Sequence, residues 1–116
     1  MTIKTFEEII AWQKAKLLYG NVAKEMEVCK MYSYKDQLLR ATLSISNNIA
    51  EGFDRGTNKE LQHFLAISRG SAAEVRSMIL IGRDHGYITN HEECLILAKD
   101  ISKLLTGFIK SLNTHD

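Results

Sequence analysis

The chain has 116 residues, of which 45% are hydrophobic and 25% are charged, and its formal net charge is only +1. This balance predicts a single ordinary globular domain and excludes a disordered chain, which would have fewer apolar residues and a larger net charge. It also excludes tight nucleic-acid binding by overall charge alone, so such binding would need local clustering of the 15 Lys and Arg residues.

Four stretches begin with a capping-box pattern, in which a Ser or Thr is followed three residues later by an acid. The pattern occurs at Thr5–Glu8, Ser33–Asp36, Thr57–Glu60 and Thr89–Glu92. Gly56 and Gly86 supply stop signals, because glycine adopts the left-handed conformation that ends helices. Together these signals predict helices near 5–30, 33–55, 57–84 and 89–112.

Each predicted helix carries apolar residues at helical spacing. In chain order the stripes run from Ala11 to Met26, from Leu38 to Gly52, from Leu61 to Ile79 and from Leu95 to Leu112. The chain has no proline, and short connections force consecutive helices to run antiparallel. The sequence therefore predicts an all-α, up-and-down antiparallel four-helix bundle formed by residues 1–116 as one domain.

The second and third helices are rich in small residues, which allow helix axes to approach closely. We expect Ala41 and Gly52 to lie at close helix contacts. Gly70 lies inside the third helix, where glycine costs about 1 kcal/mol relative to alanine. The favoured interpretation is that a close crossing leaves no room for a Cβ at Gly70.

A polar row follows one side of the second helix, with spacings of 4, 4, 3 and 4 residues. It consists of Arg40, Ser44, Asn48, Glu51 and Arg55. One interpretation is a polar ladder, formed by Ser44, Asn48 and Glu51, that fixes helix register or a subunit contact. The other is a surface for a ligand or a nucleic acid.

The third helix carries Arg69, Arg76 and Arg83, which repeat every seven residues and share a face with Ala73 and Leu80. Such a row can track phosphates, or it can be a solvated face whose charges are balanced by acidic neighbours. Further candidates for a nucleic-acid surface are Arg40, Arg55 and Lys59, provided that the faces of the two helices align.

No nucleophile motif or phosphate-binding loop occurs. The four histidines, His63, His85, His91 and His115, form no pair at metal-binding helical spacing. Cys29 and Cys94 form no C-x-x-C pair and are interpreted as free thiols, with a disulfide or metal role as the alternative. We expect a protein without catalytic site or cofactor. No apolar run approaches the ~20 residues that cross a membrane, and no signal region precedes the first helix, so we expect a cytoplasmic protein.

Three segments resemble a known family. Phe6 with Trp12-Gln13 is similar to its first motif, and Gln37–Ala41 followed by Ser44–Gly52 resembles its central signature. Phe64-Leu65 and Gly70–Glu74 match its third helix. By these motifs the chain is identified as a member of the four-helix-bundle 23S rRNA-intervening-sequence proteins, also labelled S23 ribosomal proteins.

The resemblance implies a homopentameric barrel of four-helix bundles. It also implies a relation to the accessory variability proteins of diversity-generating retroelements, which are basic barrels that bind nucleic acid and a reverse transcriptase. This chain departs from that basic branch in its near-neutral charge. The function that we expect is a non-enzymatic homo-oligomer that contacts RNA or a nucleic-acid-handling partner. The alternative is a protein–protein scaffold without a nucleic-acid role.

Overall fold

The computed structural model describes residues 2–114. A 3₁₀ turn at Phe6–Glu8 precedes four helices, and the described residues contain no strand. The helices are α1 (Ile10–Met26), α2 (Tyr32–Asp54), α3 (Asn58–His85) and α4 (His91–Ser111). Each helix packs against its neighbours in the chain, and α4 also packs against α1, within an elongated body of 49 × 20 × 18 Å. The predicted up-and-down antiparallel bundle is confirmed.

The core lies along the bundle axis and is built from the apolar stripes read in the sequence. The largest fully buried side chains include Leu18, Met26, Leu38, Ile45, Ile49, Leu65, Ile79, Ile101 and Leu105. Burial of each of these side chains stabilises the folded state by ~1.5–3 kcal/mol, because its apolar surface is removed from water. Cys29 and Cys94 are both buried free thiols, as expected.

The first helix is shorter than predicted at both ends. The Glu8 carboxylate accepts hydrogen bonds from the backbone N–H groups of Lys4 and Thr5, but the turn that it caps is a 3₁₀ turn. Ile9 is extended, with φ −74° and ψ 122°, so α1 begins one residue later. Its C-terminus is Met26, and residues 27–31 form the connection to α2.

Two of the four predicted capping boxes are wrong. Ser33 lies inside the first turn of α2, because the helix already begins at Tyr32 with Met31 as its N-cap. Thr89 precedes Asn90, which is the N-cap of α4. The box at Thr57 is confirmed, since its Oγ1 accepts from the backbone N–H of Glu60 at 3.2 Å. The glycine stop signals are also confirmed, with φ of +93° at Gly56 and +73° at Gly86.

Helices α2 and α3 approach closely at glycines, but not at the predicted position in α3. A Cβ at Gly52 would lie 2.6 Å from the Cβ of Phe64, and a Cβ at Gly82 would overlap the Tyr34 hydroxyl. The interpretation of Gly70 is wrong, because a Cβ there would meet nothing within 4 Å. Gly70 lies on the exposed side of α3, where no described neighbour requires glycine.

Candidate nucleic-acid interface

The predicted polar ladder on α2 faces α3 within the same chain. The Oγ atoms of Ser44 and Ser71 are 2.8 Å apart. Asn48 Nδ2 donates to the Ser44 carbonyl at 2.7 Å and to its Oγ at 2.9 Å. The Asn48 bonds lie within α2 and satisfy an amide that would otherwise weaken the helix, whereas the Ser44–Ser71 bond joins α2 to α3. Glu51, the third member, binds Arg55.

Arg55 is the first residue of the α2–α3 connection, directly after the end of α2. Its guanidinium lies 2.6 Å from Glu51 and 3.7 Å from Glu60, and it covers the Phe64 ring at 4.9 Å from the ring centroid. The hydrogen bond to Glu51 raises the pKa of Arg55 above its ordinary value. Arg55 therefore lies on the α2 side of α3, among carboxylates. Arg40 also belongs to α2, and Lys59 is exposed in the first turn of α3.

The arginine row of α3 lies on the other flank of that helix, next to α4. Arg69 Nη1 donates to Thr106 Oγ1 of α4 at 3.2 Å. Seven residues earlier, Gln62 donates to the carbonyls of Ile109 and Leu112. Arg76 follows Arg69 by seven residues and so lies on the same flank. Arg83 is exposed at the end of the row and binds Asp84 at 3.1 Å.

Three lysines of α4 complete a surface that the sequence did not reveal. Thr106 marks the side of α4 that faces Arg69. Lys99, Lys103 and Lys110 stand seven residues before, three before and four after Thr106, which places them along that side. All three side chains are exposed. We define the α3–α4 basic face as Arg69, Arg76, Arg83, Lys99, Lys103 and Lys110.

Most acids of α3 and α4 are held on other sides of the bundle. Gln37 of α2 donates to Glu74 at 2.7 Å, and Asn21 of α1 donates to Glu93 at 3.3 Å. Asp100 pairs with Lys14 of α1 at 3.5 Å. Glu60 likewise lies on the α2 side, near Arg55. These contacts leave the middle of the α3–α4 basic face without a facing carboxylate, and the acids near it, Asp84 and Glu92, lie at one end.

Several cations of this face are unpaired within the described residues 2–114. The side chains of Arg76, Lys99, Lys103 and Lys110 form no hydrogen bond or ion pair there. Arg69 and Arg83 each use part of their guanidinium in one contact, to Thr106 and to Asp84. The face thus offers N–H donors to an external anion. The signal that could have found the lysines is their spacing along α4, but joining them to the arginine row needs the α3–α4 register.

Other kinds of site find little support in residues 2–114. No group of three or more His, Cys, Asp or Glu side chains there could hold a metal ion. None of the helices is long and apolar enough to cross a membrane. His63, His85 and His91 lie apart along α3 and at the start of α4, and His115 lies outside the described residues.

Comparisons with known proteins place this fold. The family model described as 23S rRNA-intervening sequence protein matches residues 7–107. A protein of unknown function from the S23 ribosomal protein family of Bacteroides thetaiotaomicron has the same fold, with a TM-score of 0.80 at 21% sequence identity. The likeness covers 88% of this chain and 96% of that one. The comparison with curated proteins gives no match. On the extent of the family match, the chain belongs to the 23S rRNA-intervening sequence protein family.

Proposed function

We propose that the protein is a non-enzymatic, homo-oligomeric bundle of the cytoplasm whose α3–α4 basic face contacts RNA. The observation that carries this proposal is the local clustering of cations in a nearly neutral chain. Six Lys and Arg side chains share one face, while four of the six acids of the same two helices bind partners on other sides and the other two, Asp84 and Glu92, lie at one end. Phosphate contacts of this kind supply the electrostatic part of nucleic-acid affinity.

Assembly of several copies would strengthen such a surface, since each copy adds its own six cations. The outer side of α3 offers two exposed isoleucines for a contact between copies, Ile67 at 41% and Ile81 at 51% exposed, with the open Gly70 and the exposed Glu74 between them in the chain. By helical periodicity these residues point away from the flank that carries Arg69. A contact between copies there leaves the α3–α4 basic face free. Family resemblance favours five copies.

Light scattering after gel filtration tests the assembly. We expect a mass several times that of the 13.2 kDa chain, with about five copies as the specific expectation. The matched variants are Ile81→Glu, which puts a charge into the proposed contact, and Leu43→Glu, which alters an exposed leucine of α2. Only the first should dissociate the assembly. A parent protein of single-chain mass at micromolar concentration would refute it.

A fluorescence titration tests the contact with RNA. The probe is a labelled RNA that contains both a hairpin and an unpaired tail, at about 50 and about 200 mM salt. We expect salt-sensitive binding that the Arg69/Arg76/Arg83→Ala variant weakens. If the parent does not bind at low salt, or the triple variant binds equally well, the face is a solvated surface.

The second candidate is a protein–protein scaffold without a nucleic-acid role. One observation favours it: the connection between α1 and α2 and the first residue of α2 expose three apolar side chains, with Val28 84%, Met31 47% and Tyr32 69% exposed. Apolar clusters of this kind often mark protein contacts. The RNA titration separates the two candidates, because the scaffold predicts no salt-sensitive binding.

A further inference from the structure

We infer that the α3–α4 basic face recognises double-stranded rather than single-stranded RNA, and that it reads backbone phosphates without reading sequence. This inference rests on the proposed function and adds the form of the nucleic acid. It depends on the shape of the face and on the residues that stand between its cations.

The face is long, straight and two rows wide. The pairing of Arg69 with Thr106 and of Gln62 with Ile109 fixes the α3–α4 register, so that Lys110 and Arg83 stand at opposite ends. From this register the six cations extend over ~30 Å of bundle length, at a rise of 1.5 Å per residue. Packed helices lie ~8–10 Å apart, so the arginines and the lysines form two nearly parallel rows. A rigid double row suits a stiff duplex, whose two strands present phosphates on either side of a groove.

The residues between the cations do not suit unpaired bases. Proteins that bind single strands stack the bases on aromatic side chains, each worth about 1–3 kcal/mol. The positions between the cations hold aliphatic and small polar residues: Ala66, Ala73, Leu80, Ile96, Ser102 and Thr106. Phe64 packs against Gly52 of α2 and Phe108 lines a cavity beside α1. The stacked rings of His85 and Tyr87 lie beyond Arg83, at one end of the rows and not between the cations. A flexible single strand would gain phosphate contacts here but no stacking to offset its loss of conformational freedom.

Among the described residues, the face offers no free amide for reading base edges, and its arginines stand in rows suited to phosphates. Sequence is read mainly by Asn, Gln and bidentate Arg contacts in a groove that admits them, and the major groove of duplex RNA does not. The amide of Gln62 is already committed to the carbonyls of Ile109 and Leu112. Recognition of shape and phosphate, independent of sequence, is what remains.

The test compares binding of the assembled protein to two RNAs of equal length. One is a duplex of about 16 base pairs, the length that double-stranded-RNA-binding domains cover, and the other is one of its strands, chosen to be unstructured. We expect the duplex to bind at least about tenfold more tightly at low salt, and a second duplex of unrelated sequence to bind equally well.

Matched variants locate the binding. Lys99/Lys103/Lys110→Ala removes the α4 row, and Lys16/Lys24/Lys30→Ala removes the same charge from exposed positions in and after α1, which does not contact α3. The first should reduce the slope of log affinity against log salt by about three, and the second should change it little. Far-UV circular dichroism checks that both variants fold.

Each outcome has a separate meaning. Equal or tighter binding of the single strand overturns this inference and leaves the proposed RNA contact in place. A strong dependence on duplex sequence also overturns it. An equal loss of binding in both triple variants would show that the α3–α4 basic face is not the surface that binds RNA. Absence of salt-sensitive binding to either RNA overturns the proposed function as well.

Discussion

The Glu25 carboxylate of α1 accepts hydrogen bonds from the backbone N–H of Thr89 at 2.6 Å and from the Thr89 hydroxyl at 3.0 Å. It also accepts from the N–H of Asn90 at 3.2 Å. Asn90 is the N-cap of α4 and makes no side-chain cap bond. A carboxylate 64 residues away in the chain therefore caps the start of α4. Its negative charge also interacts favourably with the positive end of the α4 helix dipole.

Loss of this contact should destabilise the protein by about 1 kcal/mol, the usual cost of a lost cap. We expect Glu25→Gln to lower the urea midpoint at pH 7, and Glu27→Gln, at an exposed position in the next connection, to leave it unchanged. Equal midpoints for the two variants would show that Glu25 does not cap α4 in solution.

The same contact gives a pH dependence. Partial desolvation opposes ionisation of Glu25, but the hydrogen bonds from Thr89 and Asn90 outweigh it and hold its pKa below the ordinary value of 4.5. Because the folded pKa is the lower one, the contribution to stability is complete above about pH 4.5 and is lost as the pH falls through the folded pKa. Parent and Glu25→Gln should therefore converge in stability at acid pH.

Alkaline titration should detect the buried phenol of Tyr34. Burial raises the pKa of Tyr34 to about 12, and its hydroxyl donates to the Met78 carbonyl at 2.6 Å. The folded pKa lies above the unfolded value of 10, so this contribution to stability is present below pH 10 and declines as the pH rises towards 12. Absorbance at alkaline pH should show a phenol that ionises near pH 12, and Tyr34→Phe should remove that transition.

Substitution by alanine should change stability in opposite directions at Gly52 and Gly70. Gly52→Ala forces a Cβ against the Phe64 Cβ, so we expect it to destabilise the protein by about 1–3 kcal/mol. Gly70→Ala places a Cβ in open space on a helix and should stabilise each chain by about 0.5–1 kcal/mol. Thermal unfolding measures both effects, with Gly70→Ala compared in the Ile81→Glu background so that the proposed contact between copies is absent. A destabilised Gly70→Ala chain in that background would contradict the open space at Gly70.

Overpacking at Ala41 should also be costly. Ala41 is only 5% exposed within α2, so Ala41→Leu needs space that the core does not provide. We expect a loss of about 1–3 kcal/mol, against little change for Ala66→Leu at an exposed site of α3. An unchanged melting midpoint for Ala41→Leu would contradict the close packing of α2.

Local patterns predicted the helices well because periodicity and turn glycines are properties of neighbouring residues. The stripe from Leu38 to Gly52 and the ends at Gly56 and Gly86 needed no tertiary information. The predicted start of α4 at Thr89 is wrong, because the backbone N–H groups at this helix end are bound by Glu25 of another helix. The prediction of a close crossing at Gly70 is wrong for a similar reason. The sequence shows that Gly70 has no Cβ, but only the fold shows whether a neighbouring helix fills the space where a Cβ would be.

The sequence predicts the arginines of the candidate site but not its lysines. The heptad spacing of Arg69, Arg76 and Arg83 is local, and the structure places these residues on the flank of α3 that faces α4. Lys99, Lys103 and Lys110 join them only through the register set by Arg69 and Thr106. Arg40 and Arg55 belong to α2, which packs on the other flank of α3, so the expected extension of one surface from α2 to α3 needs a path around that helix.

The placement of four of the six acids of α3 and α4 away from the α3–α4 basic face has a consequence for handling the protein. A formal net charge of +1 suggests weak retention on any ion exchanger near neutral pH. Adsorption, however, depends on the face presented to the resin, and a molecule with one cationic side can orient that side towards a sulfonate or heparin matrix. Lys and Arg keep their charge far above neutrality, so the protein should stay bound to such a matrix at a pH somewhat above its isoelectric point of 7.8.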